Sequence, residues 1–454
     1  MKKAYLILLL ITVLFLTAFI FIIPFVEVTF GLCLCMSSYF IFGLIAQFRE
    51  RSNFNWFKVL SIKLILTILV SVIFVQLPLL EGDSLRTSFQ DTRLQDSNYY
   101  DYIAIKLVNI GLGEDSFHLL FSTWSSFGII SYIYMVYYIF GINYLAIVIV
   151  NSALSVLGIY FIYRIFILSS SIRSPKYIAY GILLPLYVYY DATPSKETLT
   201  FLFVAASLFY NFRLKYSSKY LGLILSLFGL FIIRPNVGLL LLGFFVVASD
   251  KVWTFRNFAS ILIMIFPVYY LVDKLIGVQA IIDSYFSFDT LLKLKNEAND
   301  LVIQSKLKLK IIELFDATSL AKLVLFMPVR LMIWLILPFP ILYFNVYELM
   351  KELTSIELHW LSFYHNAYSV LRSINVVLII YFIYKIGVYL FKNGLSSLSP
   401  SQRYILLYII YIGVVVSSFS FANSSRYRVL IEPLIFSLFI SIRYHKYRNA
   451  NRLI

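Results

Sequence analysis

Apolar runs recur along the whole chain, separated only by short polar stretches, and this alternation decides what the chain can fold into. A run of about 17 to 25 apolar residues can satisfy its backbone in a bilayer only as a spanning helix. No large soluble domain fits between the runs. The balance of residues agrees: 61% are hydrophobic, 18% aromatic and 13% charged, with a mean hydropathy of +0.86. Soluble domains carry nearer a quarter charged residues. The expectation is an all-α integral membrane protein. It is a single polytopic domain over residues 1–454, a bundle of roughly 11 to 13 transmembrane helices with external loops carrying short amphipathic helices. The opening "MKKAYLILLLITVLFLTAFIF" places basic residues before an apolar run too long for a signal-peptide core and without a small-residue cleavage site. It reads as a retained first helix.

The formal charge of +15 does not point to nucleic acid, because the basic residues form short clusters at the ends of apolar runs, the pattern that topology produces. Lys2 and Lys3, Arg49 to Lys58, Arg164 to Lys176, Arg213 to Lys219 and Arg443 to Arg452 mark successive cytoplasmic stretches. Both termini are then inside. External loops fall at about 81–117, which is acidic, and 279–321, with the short links "DATPSKE" (Asp191 to Glu197) and "RPN" (Arg234 to Asn236) also outside. Residues 118–140 and 322–346 fit no simple crossing if both flanking assignments hold, and read as interfacial or re-entrant. Cys33 and Cys35 point to different sides of a helix and read as packing, neither metal site nor disulfide. No cofactor is expected: there is no Gly-rich phosphate loop, and the acidic loop, where a divalent metal would have to sit, shows no ligand spacing.

Charges that remain beside apolar runs are functional candidates, since a cation near the hydrocarbon zone costs a few kcal/mol unless it is partnered or faces water. Lys196, Glu197, Arg234, Arg426 and Arg428 fall at the expected external ends of runs, and Asp83, Asp96 and Asp101 lie in the first external loop. Cations gathered beside carboxylates on one membrane face suit a lipid-linked phosphate or pyrophosphate sugar. Guanidinium and ammonium groups hold the phosphate, and a carboxylate takes the proton of the attacking hydroxyl. Plainer readings stand beside these. Lys196 and Glu197 also read as an interfacial pair opening a helix, with Ser195 as its N-cap. Arg234 before Pro235 also reads as a break between helices. The acidic residues also read as a solvated loop, and His359 and His365 as members of an amphipathic surface stretch.

The motifs "QDSNYYDYIA", "IFGINYLAIVIVNSALSVLGIYFIYRIF", "PSKETLTFLF", "FIIRPNVGLLLL", "LPFPI" and "SSRYRVLIEPLIF" follow one another between residues 80 and 440. In that order the chain resembles bacterial C-type glycosyltransferases, relatives of protein O-mannosyltransferases and aminoarabinose transferases. The resemblance implies a polyprenyl-phosphate or polyprenyl-pyrophosphate sugar donor and an active site on the external face of the bacterial inner membrane. It also implies a catalytic Asp in the first external loop, which is Asp96 or else Asp83 here. The acidic pair usual in the superfamily is not cleanly present. In build the chain is also similar to the repeat-unit polymerases of O-antigen and capsule synthesis, a likeness suited by Arg234 with Gly238 and by the 279–321 loop. Both families transfer a saccharide from an isoprenoid carrier to a saccharide or lipid-linked acceptor. Lys196, Glu197, Arg234, Arg426 and Arg428 would bind the substrate. A flippase or transporter of the same lipid-linked sugars remains the alternative.

Overall fold

The computed structural model describes residues 56–72, 95–111, 126–169, 176–214, 220–248, 360–419 and 430–450, with 35–36, 113, 119 and 428 besides. Of these residues 91% are helical and none lies in a strand, so the all-α expectation holds. The helices are α1 (Trp56–Ser71), α2 (Gln95–Ile110), α3 (Phe127–Phe140), α4 (Tyr144–Ser169), α5 (Pro185–Asp191), α6 (Lys196–Leu214), α7 (Leu221–Ile233), α8 (Pro235–Val247), α9 (Trp360–Asn393), α10 (Pro400–Phe419) and α11 (Glu432–Ala450). Two 3₁₀ segments, Lys176–Leu183 and Leu395–Ser397, precede α5 and α10.

Among the described helices, the stretches Tyr144–Leu168 in α4 and Ser373–Asn393 in α9 are long and apolar enough to cross a membrane. A helix of 13 or 14 residues, the length of α3, α7 and α8, extends only about 20 Å. That falls short of the roughly 30 Å hydrocarbon core of a bilayer. For α3 this agrees with the expectation that 118–140 is no simple crossing; the 322–346 stretch lies outside the described residues, as does most of the 81–117 loop and all of 279–321.

Helix α4 is the hub. It packs against α1, α3, α5, α6, α10, α11 and the first 3₁₀ segment. Small side chains let its neighbours come close: a Cβ on Gly158 would lie 2.6 Å from the Phe201 ring of α6. A second close approach joins α3 to α7, where a Cβ on Gly128 would lie 2.6 Å from the Ile232 carbonyl oxygen. That contact holds the start of α3 against the end of α7, and the next residue of the chain is Arg234.

Several of these helices carry apolar side chains on their exposed faces as well as on their buried ones. Helix α1 turns Lys63, Thr67 and Ser71 inward, each fully buried, while Ile65, Leu66 and Leu69 are exposed. Helix α7 exposes Leu221, Leu225, Phe228 and Ile232, a single stripe along one face. Helix α9 buries Asn375 while Ile374, Val377 and Tyr384 face out. The inward faces are apolar too, with Trp56 and Leu60 of α1, Leu227 and Leu230 of α7 and Ile379 and Phe382 of α9 in the core.

The close contact at Gly128 gives a direct test. Gly128→Ala places a methyl against backbone that cannot rotate away, and should destabilise the protein by about 1–3 kcal/mol, the usual effect of overpacking. Gly387→Ala in α9, where a Cβ meets nothing within 4 Å, should be neutral or slightly stabilising because alanine is the better helix former. Thermal unfolding in detergent, followed for both variants, checks the pair.

Candidate functional site

The stretch from Ala192 to Ser195 breaks the helical path between α5 and α6, and it is buried throughout. A buried non-helical backbone must find partners for its carbonyls, and here α4 supplies them. Asn151 of α4 donates through Nδ2 to the carbonyls of Asp191 (3.3 Å) and Thr193 (3.1 Å). Its Oδ1 accepts from the Tyr132 hydroxyl of α3 at 2.7 Å, which fixes the amide's orientation. The Tyr144 hydroxyl donates to the Ala192 carbonyl at 3.0 Å. Read from sequence, "DATPSKE" is an external link between two runs; in the structure its first half is the end of α5 and a turn held by side chains of α1, α4 and α6. The Ser195 hydroxyl donates back to the Tyr190 carbonyl at 3.0 Å.

At the head of this turn lies a fully buried ion pair. Lys63 Nζ of α1 stands 2.6 Å from Asp191 Oδ2, and neither side chain is exposed. The ammonium also donates to the Ile182 carbonyl at 2.8 Å and lies 5.4 Å from the centroid of the Tyr187 ring. Asp191 collects two hydroxyls as well: Ser155 Oγ of α4 lies 2.6 Å from both carboxylate oxygens, and Thr198 Oγ1 of α6 donates to Oδ1 at 2.5 Å. One carboxylate therefore joins α1, α4 and the first turn of α6.

That first turn presents Lys196 and Glu197, and as neighbours in sequence they point in different directions. Glu197 turns to the link between α7 and α8 and pairs with Arg234, Oε1 to Nη2 2.5 Å, with side chains 6% and 12% exposed. Arg234 is the extended residue of that link, at φ −149° and ψ 88°, followed by Pro235 at the start of α8. It is thus both the helix break and a partly buried cation. Lys196 turns toward α2 and α3, its Nζ 3.4 Å from Ser126 Oγ and 5.2 Å from the centroid of the Tyr100 ring. One residue on from Tyr100, Asp101 accepts a hydrogen bond from Tyr137.

The structure places Lys196, Glu197 and Arg234 at one end of α6, with Arg234 paired to Glu197 and Lys196 turned away toward Ser126. Asp96 lies in the first turn of α2, one turn ahead of Tyr100. Arg428 is 2% exposed and precedes α11, whose first residue, Glu432, is also buried. Asp83 and Arg426 lie outside the described residues, as does Cys33. Cys35 is buried, its thiol donating to the Ala146 carbonyl at 3.8 Å, which is the packing role expected of it. Among the described residues no three His, Cys, Asp or Glu side chains gather as a metal site would need.

Sequence reasoning missed Lys63, Asn151, Ser155 and Thr198, and quoted Asp191 without giving it a role. The signal was present for the first two. A lysine inside "KVLSIKLILTILVS" and an asparagine inside "AIVIVNSALSVLG" are polar groups in the middle of apolar runs, each in need of an inward partner.

No protein-family model, curated protein or solved structure matches the chain.

The ion pair predicts an asymmetry between single and double substitutions. Asp191→Asn leaves the Lys63 charge buried without its counter-ion and should cost about 3–5 kcal/mol, whereas Lys63→Met combined with Asp191→Asn should recover most of that loss. Unfolding midpoints of the two single variants and the double variant decide it, and strictly additive losses would contradict the pairing.

Proposed function

We propose that the chain is a polytopic glycosyltransferase or oligosaccharide repeat-unit polymerase of the bacterial inner membrane. It takes its saccharide from a polyprenyl-phosphate or polyprenyl-pyrophosphate donor in the synthesis of cell-surface polysaccharide. The observation that carries this reading is the placement of Lys196 and Arg234 at one end of α6, steered apart by Ser126 and Glu197, inside a bundle whose outward faces are apolar. A lipid-linked phosphate needs just such a site, reachable from the hydrocarbon and lined by cations.

In this account the bilayer covers the exposed apolar stripes of α1, α7 and α9, and the isoprenoid tail lies among them. Lys196 and Arg234, with Arg428 and Arg426, hold the phosphate and stabilise it as the leaving group, the guanidinium groups through paired N–H donors and the ammonium as a point charge. Glu197 keeps Arg234 oriented while the phosphate is absent. Asp96 takes the proton from the acceptor hydroxyl as that oxygen attacks the anomeric carbon and the bond to the phosphate oxygen breaks. Its position one turn ahead of Tyr100, the ring beside Lys196, supports this role. The acceptor is a saccharide or lipid-linked saccharide. The site faces the outside, following the distribution of basic clusters.

A flippase for the same lipid-linked saccharides is the second reading. The buried Lys63–Asp191 pair beside an interrupted helix favours it, since transporters place charged groups where helices are broken.

The two readings separate in one assay, transfer from a synthetic isoprenoid-linked sugar by the protein in vesicles. Asp96→Asn should lower turnover by about 10²–10⁴-fold, the usual contribution of a positioned base. Arg234→Ala should abolish transfer, and Arg234→Lys should recover little because an ammonium does not reproduce the guanidinium fork. Near-wild-type transfer by Asp83→Asn, Asp91→Asn, Asp96→Asn and Asp101→Asn alike would remove the transferase mechanism and leave the flippase. Sidedness is checked separately: an impermeant thiol reagent applied outside should label Gln90→Cys and Asp300→Cys but neither Ser217→Cys nor Asn449→Cys.

A further inference from the structure

We infer that Asp191, acting through Thr198, is a positioning residue for the phosphate site. Its buried carboxylate anchors the first turn of α6 and so sets where Lys196 and Glu197 stand. The inference rests on the reading of Lys196 and Arg234 as phosphate ligands and adds a residue that touches no substrate.

Three observations lead to it. Thr198 follows Lys196 and Glu197 directly, and all three lie in the opening turn of α6, whose preceding link of Thr193, Pro194 and Ser195 is not helical. The opening turn of a helix is its least constrained part, because its N–H groups lack partners within the helix. Here the turn is fastened from the side instead: Thr198 Oγ1 donates to Asp191 Oδ1 at 2.5 Å, and the same carboxylate is fixed to α4 by Ser155 and to α1 by Lys63. The link itself is fastened by Asn151 and Tyr144 through the carbonyls of Asp191, Ala192 and Thr193. Burial explains why the anchor is rigid. With Lys63 and Asp191 fully enclosed, neither charge can leave the other without crossing an apolar layer.

The consequence is a division of labour along three residues. Thr198 holds the turn, Glu197 orients Arg234 at the α7–α8 link, and Lys196 is left to reach toward α2 and α3. A shift of the turn by a fraction of a turn would move both cations relative to one another, and bidentate binding of a diphosphate is sensitive to such a shift.

The test uses Thr198→Val, which removes the hydroxyl while keeping the shape and leaves the Lys63–Asp191–Ser155 contacts in place. The probe is farnesyl diphosphate binding to the full chain in nanodiscs, measured beside amide exchange of the peptide covering 192–200. Thr198→Val should bind about tenfold more weakly, the effect of losing one hydrogen bond to a charged group, and its 192–200 amides should exchange faster. Thr198→Ser, which restores the donor, should return both measurements toward wild type. Binding by Thr198→Val equal to wild type overturns the inference, whether or not exchange quickens, because the anchor would then be structural only. Lys196→Met separates this failure from that of the underlying reading. If Lys196→Met loses binding while Thr198→Val keeps it, the positioning role alone fails. If the wild type itself does not bind farnesyl diphosphate, the phosphate site and the positioning role fall together.

Discussion

A lysine and an aspartate with no exposed surface, Lys63 and Asp191, constrain the rest of the described structure. An unpaired charge in a low-dielectric interior is several kcal/mol unfavourable, so the pair must stay together. Their helices must therefore meet. The Asp191 carboxylate draws in Ser155 and Thr198, the Lys63 ammonium takes the Ile182 carbonyl, and α1, α4, α6 and the 3₁₀ segment before α5 are brought to one point. The interrupted backbone between α5 and α6 is possible only because that point exists. Its carbonyls lie beside polar side chains, where they can be satisfied.

The same constraint places the candidate site. Helix α6 starts where the interruption ends, so its first side chains emerge next to the fixed point. Lys196 goes to one side and Glu197 to the other. Helix α7 packs directly on α6, with Gly222 and Gly229 against the Tyr210 and Phe203 rings, and this brings its end, and with it Arg234, within reach of Glu197. Two interactions far from any reacting atom, a buried ion pair and a close approach of two helices, set the spacing of the cations proposed to hold the donor phosphate.

Much of this was legible in the sequence, and the illegible part has a physical cause. The apolar runs give helices and the near absence of other structure, and the basic residues beside Pro194 and Pro235 correctly mark breaks. Spacing alone also separates Lys196 from Glu197, since adjacent helical residues face different ways. What spacing could not supply was the third dimension. Asp191 is seven residues from Thr198 but more than a hundred from Lys63. A hydrophilic stretch such as "DATPSKE" looks solvated until the partners that bury it, Asn151, Tyr144 and Lys63, are seen to come from other helices. Polar residues within apolar runs were the clue that would have found the network, for each must have an inward partner.

The central claim is that the end of α6 receives a lipid-linked phosphate from the surrounding bilayer. Photo-crosslinking tests it most directly, with a polyprenyl diphosphate bearing a diazirine in its first isoprene unit, followed by mapping of the labelled peptides. The account predicts label concentrated on peptides containing Tyr100, Ser126, Lys196 or the Arg234 link, and competition by unlabelled polyprenyl diphosphate. Label confined to the outward faces of α7 and α9, undiminished by that competitor, would contradict it.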